Sequence, residues 1–296
     1  MTKHAAITDD DTDLMRLLDR LSDMSERDYY NPYRTFDWPA ELPLDEYWMS
    51  PELLSVHNTV YEGQLSDAQL FALSRWESIN FYSLNVHGIR ELLIEIAARI
   101  HTRGFEPASE YLHHIIGEEN EHMWFFARFC TNYGQKIYDD KQMRFNNSGD
   151  PDAADFLVFA RLWIFEEIVD YYNAKMATDK RLHTTVRQVN AIHHRDESRH
   201  IAFGRQIVGH LWTRLREELT TERLREIGDH LSTYMDVSAQ STVSPAAYRD
   251  TGLPEPYALR RNVLASDGWK EHKGNMLKRP TEYLTRIGCL ESGANT

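Results

Sequence analysis

Two short segments repeat one spacing of acid and imidazole: Glu119-x-x-His122 and Glu197-x-x-His200, the second preceded one turn earlier by His193. Residues three or four apart share one face of an α-helix, so each pair can aim both side chains at one point. His193, Glu197 and His200 form a stripe on a single face. One such pair is weak evidence, because Glu-x-x-His also arises on solvated helices. Two pairs on separate helices are what a carboxylate-bridged dinuclear site requires, provided two further helices each bring a glutamate. The expected fold is therefore all-α: a four-helix bundle with a dinuclear metal core and extra peripheral helices.

The periodicity of the chain supplies those helices. Ser66 and Gln69 have the spacing of a capping box, and helical character runs from there to about His101, with Gly104 as the break. Pro107 is placed to open a second helix that Gly134 ends. After a polar stretch over 135–150, Asp150 and Pro151 read as N-cap and first residue of a third helix reaching about Thr178. The fourth begins near Thr184 or Thr185 and passes through His193–His200. The short link between the third and fourth makes them antiparallel neighbours. Residues 66–216 thus form the bundle. Residues 1–65 add a helix near 13–26 and an irregular arm rich in Tyr, Trp and Pro. Residues 217–296 add an amphipathic segment near 221–236, then short pieces broken by Pro245, Pro254, Pro256 and Pro280.

Both remaining bundle helices carry acids inside apolar runs. The first offers Glu91 and Glu95 within IRELLIEIAARI, the third Glu166 and Glu167 within FLVFARLWIFEEIVDYY. Such runs do not take carboxylates toward a core unless these are paired, protonated or metal-bound. The two cysteines, Cys130 and Cys289, lack metal or redox spacing and read as packing residues, so any metal is held by His and carboxylate. That donor set suits iron or manganese, and zinc less specifically. Asp196 is expected to orient a ligating imidazole. Arg199 is either a charge behind the ligands or a surface residue. Glu118 and Glu121 are expected at the solvent side, and His87 in the core. Of His113 and His114, one is expected to face the bundle and one solvent.

Charge and hydropathy exclude other roles. A net charge of −13 disfavours nucleic acid and anionic lipid. No apolar stretch reaches the ~20 residues that span a bilayer, and the first residues lack the apolar run of a signal peptide. A cytoplasmic location is expected. A homodimer is the expected assembly, because the amphipathic arms at both ends need a surface to cover.

The segment DESRH at 196–200 resembles the motif of ferritin-like di-iron oxygenases. The added His193 resembles the p-aminobenzoate N-oxygenase family and the related arylamine oxygenase of chloramphenicol biosynthesis, whose seven-ligand site has three histidines. The likeness covers roughly residues 70–216. It implies the ligand set Glu91, Glu119, His122, Glu166, His193, Glu197 and His200, with Glu95 as the fallback for Glu91 and Glu166 favoured over Glu167. It also implies two iron ions, O2 as co-substrate and an amine substrate, an aryl amine in particular, carried toward hydroxylamine, nitroso or nitro product. A third neutral donor adds less electron density than a carboxylate, which fits amine oxidation better than attack on unactivated C–H bonds. No flavin or nicotinamide fingerprint is present, so electrons come from a separate reductase, a small donor or the substrate. The competing readings are a C–H hydroxylase, desaturase or C–C cleaving oxidase on the same scaffold, then a ferroxidase or storage protein, then a helical protein without metal.

Overall fold

The computed structural model describes residue 7, residues 12–140 and residues 151–291. Among these residues the chain forms helices and no β-strand. Four long helices make the bundle: α3 (Asp67–Ala97), α4 (Ser109–Phe129), α5 (Pro151–Thr178) and α6 (Thr184–Glu218). Before them come α1 (Thr12–Arg27) and the single turn α2 (Pro32–Thr35). After them come α7 (Thr221–Ser241), α8 (Pro245–Thr251), α9 (Pro256–Ala265) and α10 (Asp267–Arg286).

The start of α3 is set by the capping box that the sequence encodes. Ser66 Oγ accepts from the Gln69 N–H, and Gln69 Oε1 accepts from the Ser66 N–H. The helix ends at Ala97, short of His101, because the His101 N–H is taken by Ser109 Oγ at 2.9 Å and His101 adopts a left-handed φ of 54°. A tight turn over Glu106–Ala108 then leads into α4. The last turn of α4 widens over Cys130–Gly134 and stops at Gln135, which has a left-handed φ of 55°. Asp150, the expected cap of α5, lies outside the described residues.

Packing against glycine fixes the position of α5 between its neighbours. A Cβ on Gly88 of α3 would stand 2.3 Å from the Phe165 ring, and one on Gly204 of α6 would stand 2.7 Å from Trp163. Both rings project from α5 on either side of Glu166. Phe81 of α3 stacks on Tyr172 of α5 (4.8 Å), and Tyr82 stacks on Phe126 of α4 (5.1 Å). The Tyr82 hydroxyl accepts from Asn190 of α6 at 2.7 Å.

The arm between α2 and α3 covers the outer side of α4. Trp48 packs edge-on to Phe129 and Tyr133, and the Tyr133 hydroxyl donates to the Pro39 carbonyl. At its far end the arm meets the C-terminal extension over a buried acid. Glu77 of α3 accepts from the Ser55 N–H at 2.9 Å and contacts the Ser55 hydroxyl, which lies 2.7 Å from the hydroxyl of Tyr248 in α8.

The tail is more regular than its prolines suggest. Pro280 lies inside the 20-residue helix α10 instead of ending it. Its missing N–H removes one hydrogen bond. Offsetting this, Trp269, Met276, Leu277, Pro280 and Leu284 bury one continuous face.

Candidate metal centre

The two Glu-x-x-His pairs face each other across the bundle, α4 supplying Glu119 and His122 and α6 supplying His193, Glu197 and His200. Donor atoms of Glu119, His122, Glu197 and His200 all lie within 4.8 Å of one another. Glu119 Oε1 is 2.7 Å from His200 Nδ1 and 3.6 Å from His122 Nδ1. Glu197 Oε1 is 2.9 Å from His193 Nε2 and 3.3 Å from His122 Nδ1, while its Oε2 is 3.5 Å from His200 Nδ1. Glu166 of α5 completes the group. It is buried and has Glu197, Glu119 and His200 as electrostatic neighbours.

A second layer of side chains fixes each imidazole. His122 Nε2–H donates to Asp196 at 3.2 Å, and His200 Nε2–H donates to Glu118 at 2.7 Å. His193 Nδ1 lies 2.5 Å from the side-chain amide of Asn173. Each ring is therefore tied at one nitrogen and presents the other to the cluster.

The arrangement is crossed. In Glu118-Glu119-x-x-His122 and Asp196-Glu197-x-x-His200, the acid just before each inward glutamate reaches over to the other helix's histidine. Arg199, 2% exposed, links the two acids, donating to Glu118 at 2.6 Å and Asp196 at 2.8 Å, with Asp28 at the end of α1 nearby at 3.6 Å. Burial would raise the Asp196 carboxyl, yet His122 and Arg195 hold it well below the usual carboxylate range. Glu118 behaves likewise: burial opposes its ionisation, and His200 and Arg199 outweigh it.

The cluster's acids and imidazoles pair by charge but close no hydrogen bond among themselves. Both oxygens of Glu119 and of Glu197, Oε1 of Glu166, Nδ1 of His122 and His200 and Nε2 of His193 are buried without a hydrogen-bond partner. Burial and the charges of Glu197 and Glu119 push Glu166 well above the ordinary range. Orphaned buried donors of this kind are costly. Three carboxylates and three imidazoles with lone pairs converging on one dry spot are the donor set of a hard or borderline divalent metal, so the residues fit a dimetal cofactor.

The other expected positions resolve as follows. Glu167 turns from the centre and pairs with Arg205. Glu91 is not brought to the cluster. Its side chain is 66% exposed and faces Arg90 at 3.4 Å. Glu95 pairs with Arg99 at 2.7 Å, so neither α3 acid of the apolar run points inward. With Ile89 and Leu92 buried on one side of the helix, Glu91 projects outward. Glu118 is only 14% exposed and holds an imidazole, correcting the solvent-facing expectation. His113 is exposed and contacts His101. His87 is half-buried and bonded to the Tyr138 carbonyl at 2.7 Å, so it ties down the chain after α4 instead of filling the core.

The two holders that sequence reasoning missed each left a signal. Glu118 stands in its motif as Asp196 stands in the other. Asn173 lies seven residues, two turns, beyond Glu166 on the same face of an apolar helix.

This fold and this cluster define a ferritin-like dimetal-carboxylate protein. The family described as P-aminobenzoate N-oxygenase AurF matches residues 11–288, and the chain belongs to that family. Similar sequences include the uncharacterised proteins Rv0885 of Mycobacterium tuberculosis and Mb0909 of Mycobacterium bovis. Each is 25% identical over 210 residues, covering 67% of this chain. The match spans 61% of those relatives' own length. Similar solved structures include an R2-like ligand-binding oxidase variant with an aerobically reconstituted Mn/Fe cofactor, at TM-score 0.50 and 13% identity, covering 96% of this chain and 100% of that one. A second variant, reconstituted anaerobically, gives TM-score 0.50 and 14% identity, covering 95% of each chain. These structures share the fold. Among the described residues, no helix is long and apolar enough to cross a membrane.

Proposed function

We propose that this chain is a non-haem di-iron oxygenase that adds oxygen to the nitrogen of an amine, an aryl amine in particular. The observation that carries the reading is the convergence of eight buried, unpartnered donor atoms from α4, α5 and α6. Family membership supports the substrate class. The balanced first step takes R–NH2, O2, two electrons and two protons to R–NHOH and water. The electron pair comes from a reductase or small reductant.

Iron bound here would supply the reduction of O2 and the oxygen transfer. The chain's own residues do the rest. Glu119, His122, Glu166, His193, Glu197 and His200 provide the donors. Asp196, Glu118 and Asn173 keep the three imidazole lone pairs aimed inward. Phe125 and Phe126 pack on His122 and His193 with ring centroids 5.4 and 4.7 Å apart, which excludes water from that side.

The test begins with elemental analysis after anaerobic loading with ferrous iron and desalting, then turnover of p-aminobenzoate with O2 and a chemical reductant. Two irons per chain and products bearing new N–O bonds are expected. Fewer than two irons would remove the dimetal reading. Two irons with oxygen placed on carbon would replace N-oxygenation by C–H hydroxylation.

A further inference from the structure

We propose that the two metal positions are unequal, one binding a divalent ion tightly and the other weakly, because α3 gives the centre no carboxylate. The inference rests on the dimetal reading above.

The carboxylates of α3 are Asp67, Glu77, Glu91 and Glu95. Asp67 lies in the first turn, and Glu77 is held by Ser55. Glu91 and Glu95 face arginines on the outside. The face of α3 that meets the other bundle helices through Phe81 and Tyr82 continues one and two turns on with Asn85 and Ile89, which are 0% and 1% exposed. Neither carries charge. Asn85 Nδ2 donates to the Phe81 carbonyl at 2.8 Å, and its Oδ1 is buried without a partner.

Of the donors that remain, Glu119 meets His122 and His200, and Glu197 meets all three imidazoles. Its Oε1 is shared with His193 and His122. Its Oε2 is on the side of His200, whose Nδ1 also meets Glu119. Glu166 is buried beside this group, with Glu197, Glu119 and His200 as electrostatic neighbours. The carboxylates of α4 and α6 are thus shared, and Glu166 is the one unshared carboxylate, where a four-helix dimetal site takes one glutamate from each of the two remaining helices. Affinity for hard divalent ions rises with the number of charged oxygen donors. The position on the Glu166 side therefore fills first, and the one facing α3 second.

Anaerobic calorimetric titration of the metal-free full chain with Mn2+ tests this, with EPR followed in parallel. Two one-equivalent steps are expected, with dissociation constants separated by at least about tenfold. An isolated Mn2+ signal should grow to one equivalent and then fall as the second ion couples to it. Glu166→Gln weakens the first step, and Asn85→Asp brings the two closer. Two equivalents binding with one common constant would overturn the inequality and leave the dimetal reading standing. Saturation below two equivalents would overturn both.

Discussion

Asp196 and Glu118 show how much of this centre is decided one residue behind the ligands. Each grips a histidine presented by the opposite helix, so the imidazoles are braced across α4 and α6 instead of along one of them. Asp196→Asn and Glu118→Gln should each lower metal affinity about 10- to 100-fold, the range for such supporting contacts. Competition against a calibrated chelator measures it, and an unchanged affinity in both variants would show that the bracing is dispensable. Glu77 acts at the same scale without any metal. Burial pushes its carboxyl up to about 7, opposed by the Ser55 contacts. A carboxyl raised on folding contributes stability that is complete below its unfolded value and lost as pH rises through the folded one. Between about pH 4.5 and pH 7 the chain should therefore lose on the order of 3 kcal/mol through this group. Glu77→Gln, which keeps a neutral side chain throughout, should flatten that part of the stability profile in urea titrations at stepped pH. An identical slope in variant and parent would contradict it.

Among the elements, α5 depends most on small neighbours. Trp163 and Phe165 enter spaces that only Gly204 and Gly88 leave open, and these two rings set the rotation that turns Glu166 inward and Glu167 toward Arg205. Gly204→Ala should cost about 1–3 kcal/mol by overpacking and weaken metal retention. Gly274→Ala in α10, where an added methyl meets nothing within 4 Å, should stabilise by about 0.5–1 kcal/mol. Thermal unfolding of the pair separates packing from helix propensity, and equal effects of the same sign would refute the packing account. The same elements show where the sequence speaks and where it is silent. The bundle helices were legible because capping residues and apolar period mark them locally, as at Ser66. The α4 and α6 ligands were legible because their spacing is itself the signal. The α3 position was not. Glu91 and Glu95 sit in an apolar run, but which face of that run meets α4 and α5 is settled by Phe81, Tyr82 and Gly88 several residues away. The helix through Pro280 was hidden for a similar reason, since burial of its face against the rest of the molecule outweighs the local cost of a proline.

For the molecule as a whole, the centre concentrates buried polar atoms without hydrogen bonds in the core. Metal binding removes that penalty only in the folded state, so loading should raise the melting temperature, and a strong chelator should lower it. The effect should shrink in Glu197→Gln, whose carboxylate touches all three imidazoles. A melting temperature indifferent to metal would contradict it.

The meeting of Ser55, Glu77 and Tyr248 has a consequence for the two ends of the chain. Segments 193 residues apart in sequence close on one acid of the bundle, so the peripheral parts form a belt buckled there and again where Gly268 of α10 packs on the backbone of Asn58. Cutting the chain beyond α7 would unfasten the N-terminal arm as well as remove α8. A protease that nicks either strap should then expose the aromatic side of α4, and the two straps should be lost together.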